Sequence, residues 1–174
     1  MEDIITSVHI TPTLQILRYT SMNLKGVFSH ESDHWKTPKK LYDAFMSAGY
    51  TDPCPLHCQE DNLEKVYCFE KLFINPPFSQ MNKWVDMAIQ CAKRQCKVWL
   101  LMPARTDTKY FKKLADFRCI IWFFTGRLHF NDEKNSAPFP TMLVCLDAEI
   151  WENYFMHGSV DDFIRICLED EKNG

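Results

Sequence analysis

The chain has 174 residues, of which 46% are hydrophobic and 14% aromatic, and its formal net charge is −3. This length and apolar content predict one ordinary domain with a single packed core. The sequence has no long apolar run typical of a membrane span, and its acidic start, MEDIITSVHI, does not resemble a signal peptide. The 8 cysteines lie in largely apolar runs. They are therefore predicted to be reduced core thiols of a cytosolic or nuclear protein.

The charges are unevenly distributed along the chain. Residues 81–119 contain nine Lys or Arg against three Asp, whereas residues 147–174 contain eight acidic residues against two basic ones. This asymmetry is compatible with a nucleic-acid-binding face on a mildly acidic protein. It is equally compatible with a set of solvated helix faces, and composition leaves both interpretations open.

The predicted elements begin after an irregular N-terminal arm, residues 1–26, and lie in one domain, residues 27–174. Thr37 or a residue before it is expected to cap the first helix, and Thr106 or Asp107 to start the third. In chain order we predict a helix over 37–49, a strand over 71–75, a helix over 81–95, a strand over 97–102, a helix over 106–116, a strand over 119–124, a last strand over 141–147 and a terminal helix over 160–170.

This alternation of strands and helices is typical of a mostly parallel sheet with helices on its faces. Ligands of such sheets bind at the carboxyl ends of the strands. Two segments are predicted to lie there, Asn75-Pro76-Pro77-Phe78 and Pro103-Ala104-Arg105.

The segment Asn75–Phe78 has the residue types needed to methylate a planar exocyclic amine. The lone pair of such an amine is delocalised, so the amine attacks poorly. The Asn75 side-chain oxygen and the Pro76 carbonyl can each accept one of its N–H groups, and prolines hold such a carbonyl in place. Phe78 can stack on the acceptor ring. Alternatively, the two prolines only turn the chain out of the sheet, and Phe78 belongs to the core.

Several further motifs occur around this segment in a fixed order. Together they resemble the phage-type Dam-like DNA adenine N6-methyltransferases, over roughly residues 27–147. The motifs are Trp35-Lys36-Thr37-Pro38, Asp52-Pro53-Cys54, Asp61-Asn62-Leu63, Asn75-Pro76-Pro77-Phe78, Trp84-Val85, Leu101-Met102-Pro103-Ala104-Arg105-Thr106-Asp107-Thr108 and Gly126-Arg127-Leu128-His129-Phe130.

The resemblance implies a compact class I (Rossmann-like) α/β methyltransferase fold, S-adenosylmethionine as cofactor, and adenine in double-stranded DNA as acceptor. It implies no metal and no membrane, and it leaves a homodimer open. The catalytic segment would be Asn75, Pro76, Pro77 and Phe78, and the DNA-binding residues Arg105, Lys109 and Arg127. The implied cofactor-binding residues are Trp35, Thr37, Pro38, Asp52 at the end of the first strand, Pro53, Asp61, Leu63 and Asn75.

The chain also departs from that family in ways that predict a reduced structure. Only residues 53–74 separate Asp52 from Asn75, so strands between them must be missing, shortened or supplied by residues 1–34. No separate target-recognition domain fits, and DNA sequence would be read by loops such as 104–110 and 126–139. The segment DPCPLHCQ stands in place of a glycine-rich cofactor loop. Its Cys and His spacing is irregular for zinc, so we predict no metal site there.

Other functions remain open at this point. One is a catalytically silent DNA-binding or partner subunit with the same fold. The other is a methyltransferase that acts on cytosine N4, on RNA adenine or on a protein glutamine amide.

Overall fold

A computed structural model describes residues 35–55, 62–130 and 136–169. In this part of the chain a five-stranded sheet forms the centre, with the order β1-β2-β4-β3-β5. The strands are β1 (Lys71–Ile74), β2 (Lys97–Pro103), β3 (Ile120–Phe124), β4 (Thr141–Leu146) and β5 (Tyr154–Gly158). The predicted N-terminal arm, the residues up to 34, Asp61, His57 and Cys58 lie outside the described residues.

The sheet is mixed, and this refines the expected mostly parallel arrangement. β1 pairs with β2, and β3 with β5, in parallel, whereas β4 pairs antiparallel with both β2 and β3. Four strands therefore run in one direction, and β4 alone among the described strands runs against them. The reason lies in the connections. Helix α2 carries the chain back between β1 and β2, but residues 125–140 contain no described helix, so β4 returns directly beside β3.

The four helices of the described chain lie close to their predicted positions. They are α1 (Lys39–Ser47), α2 (Met81–Lys93), α3 (Lys109–Phe117) and α4 (Val160–Phe163), which continues as a π-helical turn, Ile164–Leu168. Short 3-10 turns at Asn62–Glu64 and Phe78–Gln80 complete the set.

Two predicted caps were wrong. Thr108, not Thr106 or Asp107, caps α3, because its hydroxyl accepts a hydrogen bond from the Phe111 N–H at 3.3 Å. Helix α1 has Pro38 at the N-cap position with no side-chain hydrogen bond. Thr37 therefore does not cap this helix, and its hydroxyl is used elsewhere, as described below.

Alternation along the strands divides the apolar residues between two cores, one on each side of the sheet. On one side, Leu72, Ile74 and Leu100 pack with helices α2 and α3. On the other side, Phe73, Trp99 and their neighbours pack with α1 and α4. The single core expected from composition is thus a pair of cores separated by the central strands.

Strand β5 was not predicted, so the expectation that residues 141–147 form the last strand was wrong. The exposure of its side chains explains why the sequence did not predict this strand. Tyr154, Phe155 and His157 are exposed and only Gly158 is buried, so the sequence lacks the apolar periodicity of a buried strand. Backbone pairing with β3 at the edge of the sheet creates this strand.

None of the seven described cysteines forms a disulfide, and four of them, Cys91, Cys96, Cys119 and Cys145, are buried. Within the described ranges no group of three metal-ligating side chains is present. No helix in those ranges is long and apolar enough to span a bilayer.

We predict that Gly158→Ala destabilises the fold by about 1–3 kcal/mol, as overpacking usually does. An added Cβ would lie 2.5 Å from Cζ2 of the buried Trp122 and 3.0 Å from Cβ of Asp162. Urea unfolding measures the loss. Trp122→Phe removes the clashing ring, so the double variant should lose less than the sum of the two single changes. Strict additivity would contradict this explanation.

Candidate active site

The carboxyl ends of β1, β2 and β3 meet at one edge of the sheet, because these strands run in the same direction. Asn75 follows β1, Ala104 follows β2, and Thr125 follows β3. The structure therefore brings together the two segments that the sequence placed at strand ends, and it adds the loop after β3.

The Asn75 side chain is held by the segment that precedes α1. Its amide nitrogen donates to the Trp35 carbonyl oxygen and, at 3.0 Å, to the Thr37 hydroxyl. The opposite amide orientation would place two oxygen acceptors, Asn75 Oδ1 and the Trp35 carbonyl, against each other. These two bonds therefore fix which way Asn75 points and leave Oδ1 as the group that faces away from the Trp35–Thr37 segment.

Asn75 Oδ1 is buried and has no hydrogen-bond partner among the described residues. The next residue, Pro76, is buried too, and its carbonyl takes part in no hydrogen bond within the described part of the chain. Buried polar groups are nearly always paired in native proteins. Two adjacent acceptors without a donor are thus suited to a ligand that brings two N–H groups.

The two prolines also join the strand to the next helix. Pro77 has φ −55° and ψ 124° and begins the 3-10 turn Phe78–Gln80, which leads straight into α2. The Pro77 carbonyl accepts from the Gln80 N–H at 2.9 Å. The prolines therefore end the strand and also restrict the backbone of residues 75–77, which we call the acceptor segment.

Four aromatic rings, which we call the ring cluster, lie beside Asn75: Trp35, Phe78, Phe130 and Phe139. The Trp35 and Phe78 rings are nearly parallel, 17° apart, with centroids separated by 6.4 Å. Phe139 meets Trp35 edge-on at 5.4 Å and Phe78 at 5.5 Å. Phe130 closes the group, 5.5 Å from Trp35. A flat apolar ligand next to Asn75 would be surrounded by aromatic faces and edges.

Asp52 is a half-buried carboxylate at the same edge. Thr51 forms a single parallel bridge with Leu72, so the expected first strand is reduced to one bridged residue that ends at Asp52. The carboxylate accepts the Cys54 N–H at 2.8 Å and has no cationic partner among the described side chains. Burial raises the pKa of Asp52 to about 6, and the hydrogen bond from Cys54 partly offsets this rise.

Other predicted cofactor residues lie near Asp52 or near Asn75. The Pro53 carbonyl accepts a hydrogen bond from the Asn62 side chain at 2.8 Å, which ties residues 52–54 to the turn that carries Leu63. Burial is the largest cause of the raised pKa of Tyr42, and the Asp52 carboxylate raises this pKa further. The Tyr42 hydroxyl therefore lies near Asp52. Pro38 is partly buried at the start of α1. Asp61 lies outside the described residues.

The three predicted DNA-binding residues all lie at the carboxyl edge and are exposed: Arg105 follows β2, Lys109 begins α3, and Arg127 follows β3. The rest of the basic segment 81–119 is divided. Lys112 and Lys113 form ion pairs with Asp116 and Asp86, both at 2.6 Å, while Arg94 and Lys97 lie at the opposite edge. The solvated-face interpretation therefore holds for part of the segment.

Sequence reasoning did not assign a role to Phe139, Thr141 or Tyr42. Phe139 and Thr141 belong to the sequence APFPT, residues 137–141, which leads into β4. Two prolines around an aromatic residue, just before a strand that begins at the functional edge, are the signal that could have identified it.

The chain was also compared with models of known protein families. The family of DNA N-6-adenine-methyltransferase (Dam) matches residues 56–156, which is more than half of the sequence. This range includes Asn75, the ring-cluster residues 78, 130 and 139, and the three cations at the carboxyl edge. No curated protein matches the chain.

We predict that Asp52→Asn stabilises the protein at pH 7.5 by about 2–3 kcal/mol, since one unit of pKa shift corresponds to about 1.4 kcal/mol. The folded-state pKa is raised from 3.8 to about 6, so the folded state binds this proton more tightly. Stability is therefore lost as pH rises from about 4 to 6, and the loss persists above that range. Asparagine keeps the acceptor for Cys54 but carries no charge.

Thermal unfolding between pH 4 and pH 8 measures this difference. The two proteins should melt alike near pH 4, diverge between about pH 4 and 6, and keep a constant difference above that range. Asp107→Asn, at an exposed position of the same edge, controls for the loss of a surface charge. A constant difference at all pH values would contradict the raised pKa.

Proposed function

Since the chain belongs to the DNA N-6-adenine-methyltransferase (Dam) family, we propose that it transfers a methyl group from S-adenosylmethionine to the N6 amine of adenine in double-stranded DNA. The observation that carries this proposal is the orientation of Asn75. Its amide donates to Trp35 and Thr37, so its buried oxygen is left to accept from a ligand.

The chemistry follows from the two acceptors at the end of β1. The N6 lone pair of adenine is delocalised into the ring, which keeps the amine planar and weakly nucleophilic. Asn75 Oδ1 and the Pro76 carbonyl each accept one N–H, and this draws the nitrogen toward tetrahedral geometry with its lone pair directed at the incoming methyl group. After transfer the nitrogen carries an extra proton. It is acidic and passes to one of the acceptors or to water, so no strong base is required.

The ring cluster supports adenine as the acceptor. Phe78 immediately follows the acceptor segment, and stacking on an aromatic ring is the usual way to hold a nucleotide that has left its duplex. Because Asn75 Oδ1 is buried, a base reaches it only after a neighbouring side chain moves. We propose that the base occupies the space which this side chain leaves and stacks on Phe78.

The residues around Asp52 fit the cofactor. S-adenosylmethionine supplies an electrophilic methyl group on a sulfonium centre, and its amino-acid end carries a cationic amine. Asp52 is a half-buried carboxylate that lacks a cation among the described residues, so it can hold that amine or the ribose hydroxyls. Pro53 and Leu63, tied together through Asn62, would line the same pocket.

Four other residues were predicted to bind the cofactor. Thr37 and the Trp35 backbone hold Asn75, which makes them positioning residues for the acceptor side as well. Pro38 begins α1 between this segment and Tyr42. Asp61 is kept as a cofactor-binding residue on the basis of the motif alone.

The sheet supports the class I (Rossmann-like) fold that the sequence predicts. A β1-α2-β2 unit with parallel strands places the candidate site at its carboxyl edge, as in other doubly wound α/β proteins. We therefore propose a reduced class I (Rossmann-like) methyltransferase domain. In it a bridged residue, Thr51, replaces the first strand, and loops read the DNA.

The decisive experiment is transfer of tritiated methyl from S-adenosylmethionine to unmethylated duplex DNA, followed by digestion and mass spectrometry of the nucleosides. N6-methyladenine in the digest supports the proposal. N4-methylcytosine, or methylation of RNA only, would identify a different acceptor for the same site. DNA binding without methyl transfer would indicate a catalytically silent subunit.

We predict that Asn75→Ala lowers the single-turnover rate by about 10²–10³, or about 3–4 kcal/mol, because one preorganised acceptor is lost in the transition state. Affinity for S-adenosylmethionine, measured by calorimetry, should change far less. Phe78→Ala should weaken capture of the base by about 1–3 kcal/mol, while Phe78→Trp keeps a stacking surface. Asn82→Ala, at an exposed asparagine in the first turn of α2, is the matched control.

Near-normal turnover of Asn75→Ala would show that residues 75–78 only end the strand. A wild-type protein that binds no cofactor, with or without DNA, would overturn the enzyme proposal as a whole.

We also predict that Arg105→Glu and Arg127→Glu weaken binding to all duplex sequences by similar factors, since phosphate contacts carry no sequence information. The plot of the logarithm of the binding constant against the logarithm of the salt concentration should become less steep, with its slope reduced in magnitude by about 1 for each contact that is lost. Arg94→Glu makes the same charge change at the opposite edge of the sheet and should have little effect. A loss confined to one DNA sequence would instead assign the arginine to base reading.

A further inference from the structure

Two of the buried side-chain atoms that lack a partner in the described structure lie at the carboxyl edge. They are Asn75 Oδ1 and Thr141 Oγ1. The remaining three are indole nitrogens of tryptophans packed in the two cores. The carboxyl edge therefore carries a second buried polar group without a hydrogen-bond partner, the Thr141 hydroxyl, which has no role in the methyl transfer proposed above.

Sheet register places Thr141 on the same side as Asn75. Thr141 pairs with Pro103, while Leu143 pairs with Leu101 and belongs to the core on the α1 side. Strand residues two apart share a face, so Thr141 projects to that side, as do Phe73 and, two positions later, Asn75. Across the sheet the two residues are two strand spacings apart, about 10 Å, and Thr141 lies two residues farther along the strands, about 7 Å, so their backbones are separated by about 12 Å. The two side chains, together with a purine that forms a hydrogen bond at each end, can span this distance.

Thr141 is also next to the ring cluster. Phe139, two residues earlier, contacts the Trp35 and Phe78 rings. The Ala104 N–H donates to the Pro140 carbonyl at 2.9 Å, so the segment 139–141 is held against the end of β2. The hydroxyl thus belongs to a residue fixed by the sheet on one side and by the ring-cluster loop on the other.

A hydroxyl in this position is unfavourable unless something binds it. Thr141 is 1% exposed, so bulk solvent does not reach its hydroxyl. A valine would have the same shape without the unpaired hydroxyl, and replacing such a group by an apolar one is neutral or stabilising. A ligand with a hydrogen-bond acceptor would satisfy it.

We propose that Thr141 is a base-contacting residue whose hydroxyl donates a hydrogen bond to a ring nitrogen of the target adenine, while Asn75 Oδ1 accepts from the N6 amine. This inference rests on the proposed function and adds a second polar contact to it. Adenine presents an amine donor beside ring-nitrogen acceptors, whereas guanine presents O6 and N7, two acceptors. The pair Asn75 and Thr141 therefore matches adenine, and guanine O6 would face the Asn75 oxygen unpaired.

The test combines protein variants with altered bases. Single-turnover methylation is measured for wild type, Thr141→Val and Thr141→Ser on duplexes with adenine, 1-deazaadenine, 3-deazaadenine or 7-deazaadenine at the target. Thr141→Val should react about tenfold or more slowly on adenine, and Thr141→Ser should keep most of the rate because it keeps the hydroxyl. One deaza base should slow wild type by a similar factor but should slow Thr141→Val no further.

Two measurements separate this result from a general defect. Thr141→Val should melt at or above the wild-type temperature and should bind S-adenosylmethionine with unchanged affinity. Ser47→Ala removes an exposed hydroxyl at the last residue of α1, away from the carboxyl edge, and should react like wild type.

The inference is overturned if Thr141→Val methylates adenine as fast as wild type, or if the deaza penalties are the same in both proteins. It is also overturned if none of the three deaza bases slows wild type, a result that requires no variant to fold. In all these cases wild type still methylates DNA and the proposed function stands. If wild type methylates no DNA, the proposed function fails, and this inference fails with it.

Discussion

The donation of both Asn75 amide hydrogens to the segment before α1 is the interaction on which the candidate site depends. The Trp35 carbonyl and the Thr37 hydroxyl receive these hydrogens, and neither lies near Asn75 in the sequence. Because the donors of the amide are used within the protein, its oxygen is oriented before any ligand arrives. A side chain that could rotate would offer a donor to the amine as readily as an acceptor, and preorganisation would be lost.

The same contact explains why the start of α1 is built without an ordinary cap. Threonine is a favourable N-cap residue, yet here Thr37 accepts from a strand-end residue and Pro38 occupies the N-cap position. The helix gives up one local hydrogen bond. In return, the chain before α1 is fixed to the end of β1, which also brings Trp35 against Phe78.

The reversed strand β4 gives the site its third side. Since β4 runs against its neighbours, its first residues, not its last, lie at the carboxyl edge of the sheet. Phe139 is thereby placed against the Trp35 and Phe78 rings, and Thr141 lies at the same edge as Asn75. The basic side chains follow the same geometry. Arg105, Lys109 and Arg127 reach this edge because they follow strands that run the same way, while Arg94 and Lys97 lie at the other end. Position relative to strand direction, more than local charge density, decides which cations lie at the edge that carries the candidate site.

Asp52 and Asn75 have different electrostatic surroundings although both lie at this edge. Asp52 is a carboxylate short of a cation, and burial raises its pKa. Asn75 and Pro76 offer neutral acceptors between prolines and aromatic rings. A cationic ligand is favoured at the first position and a flat neutral amine at the second, which is the division of roles required for a methyl donor and its acceptor.

The sequence by itself determined the elements with strong apolar periodicity, from α1 through β4, and the family to which the chain belongs. Apolar runs and strand-ending prolines are local signals, and an ordered set of motifs points to one family. Tertiary structure alone decided the rest. β5 has exposed side chains and exists because β3 offers its backbone for pairing. Thr37 serves Asn75 instead of its helix, and Thr141 lies at the same edge of the sheet as Asn75, because sheet pairing brings together residues that are far apart in the chain. Hydrogen-bond partners and sheet register depend on long-range contacts, which local residue patterns do not encode.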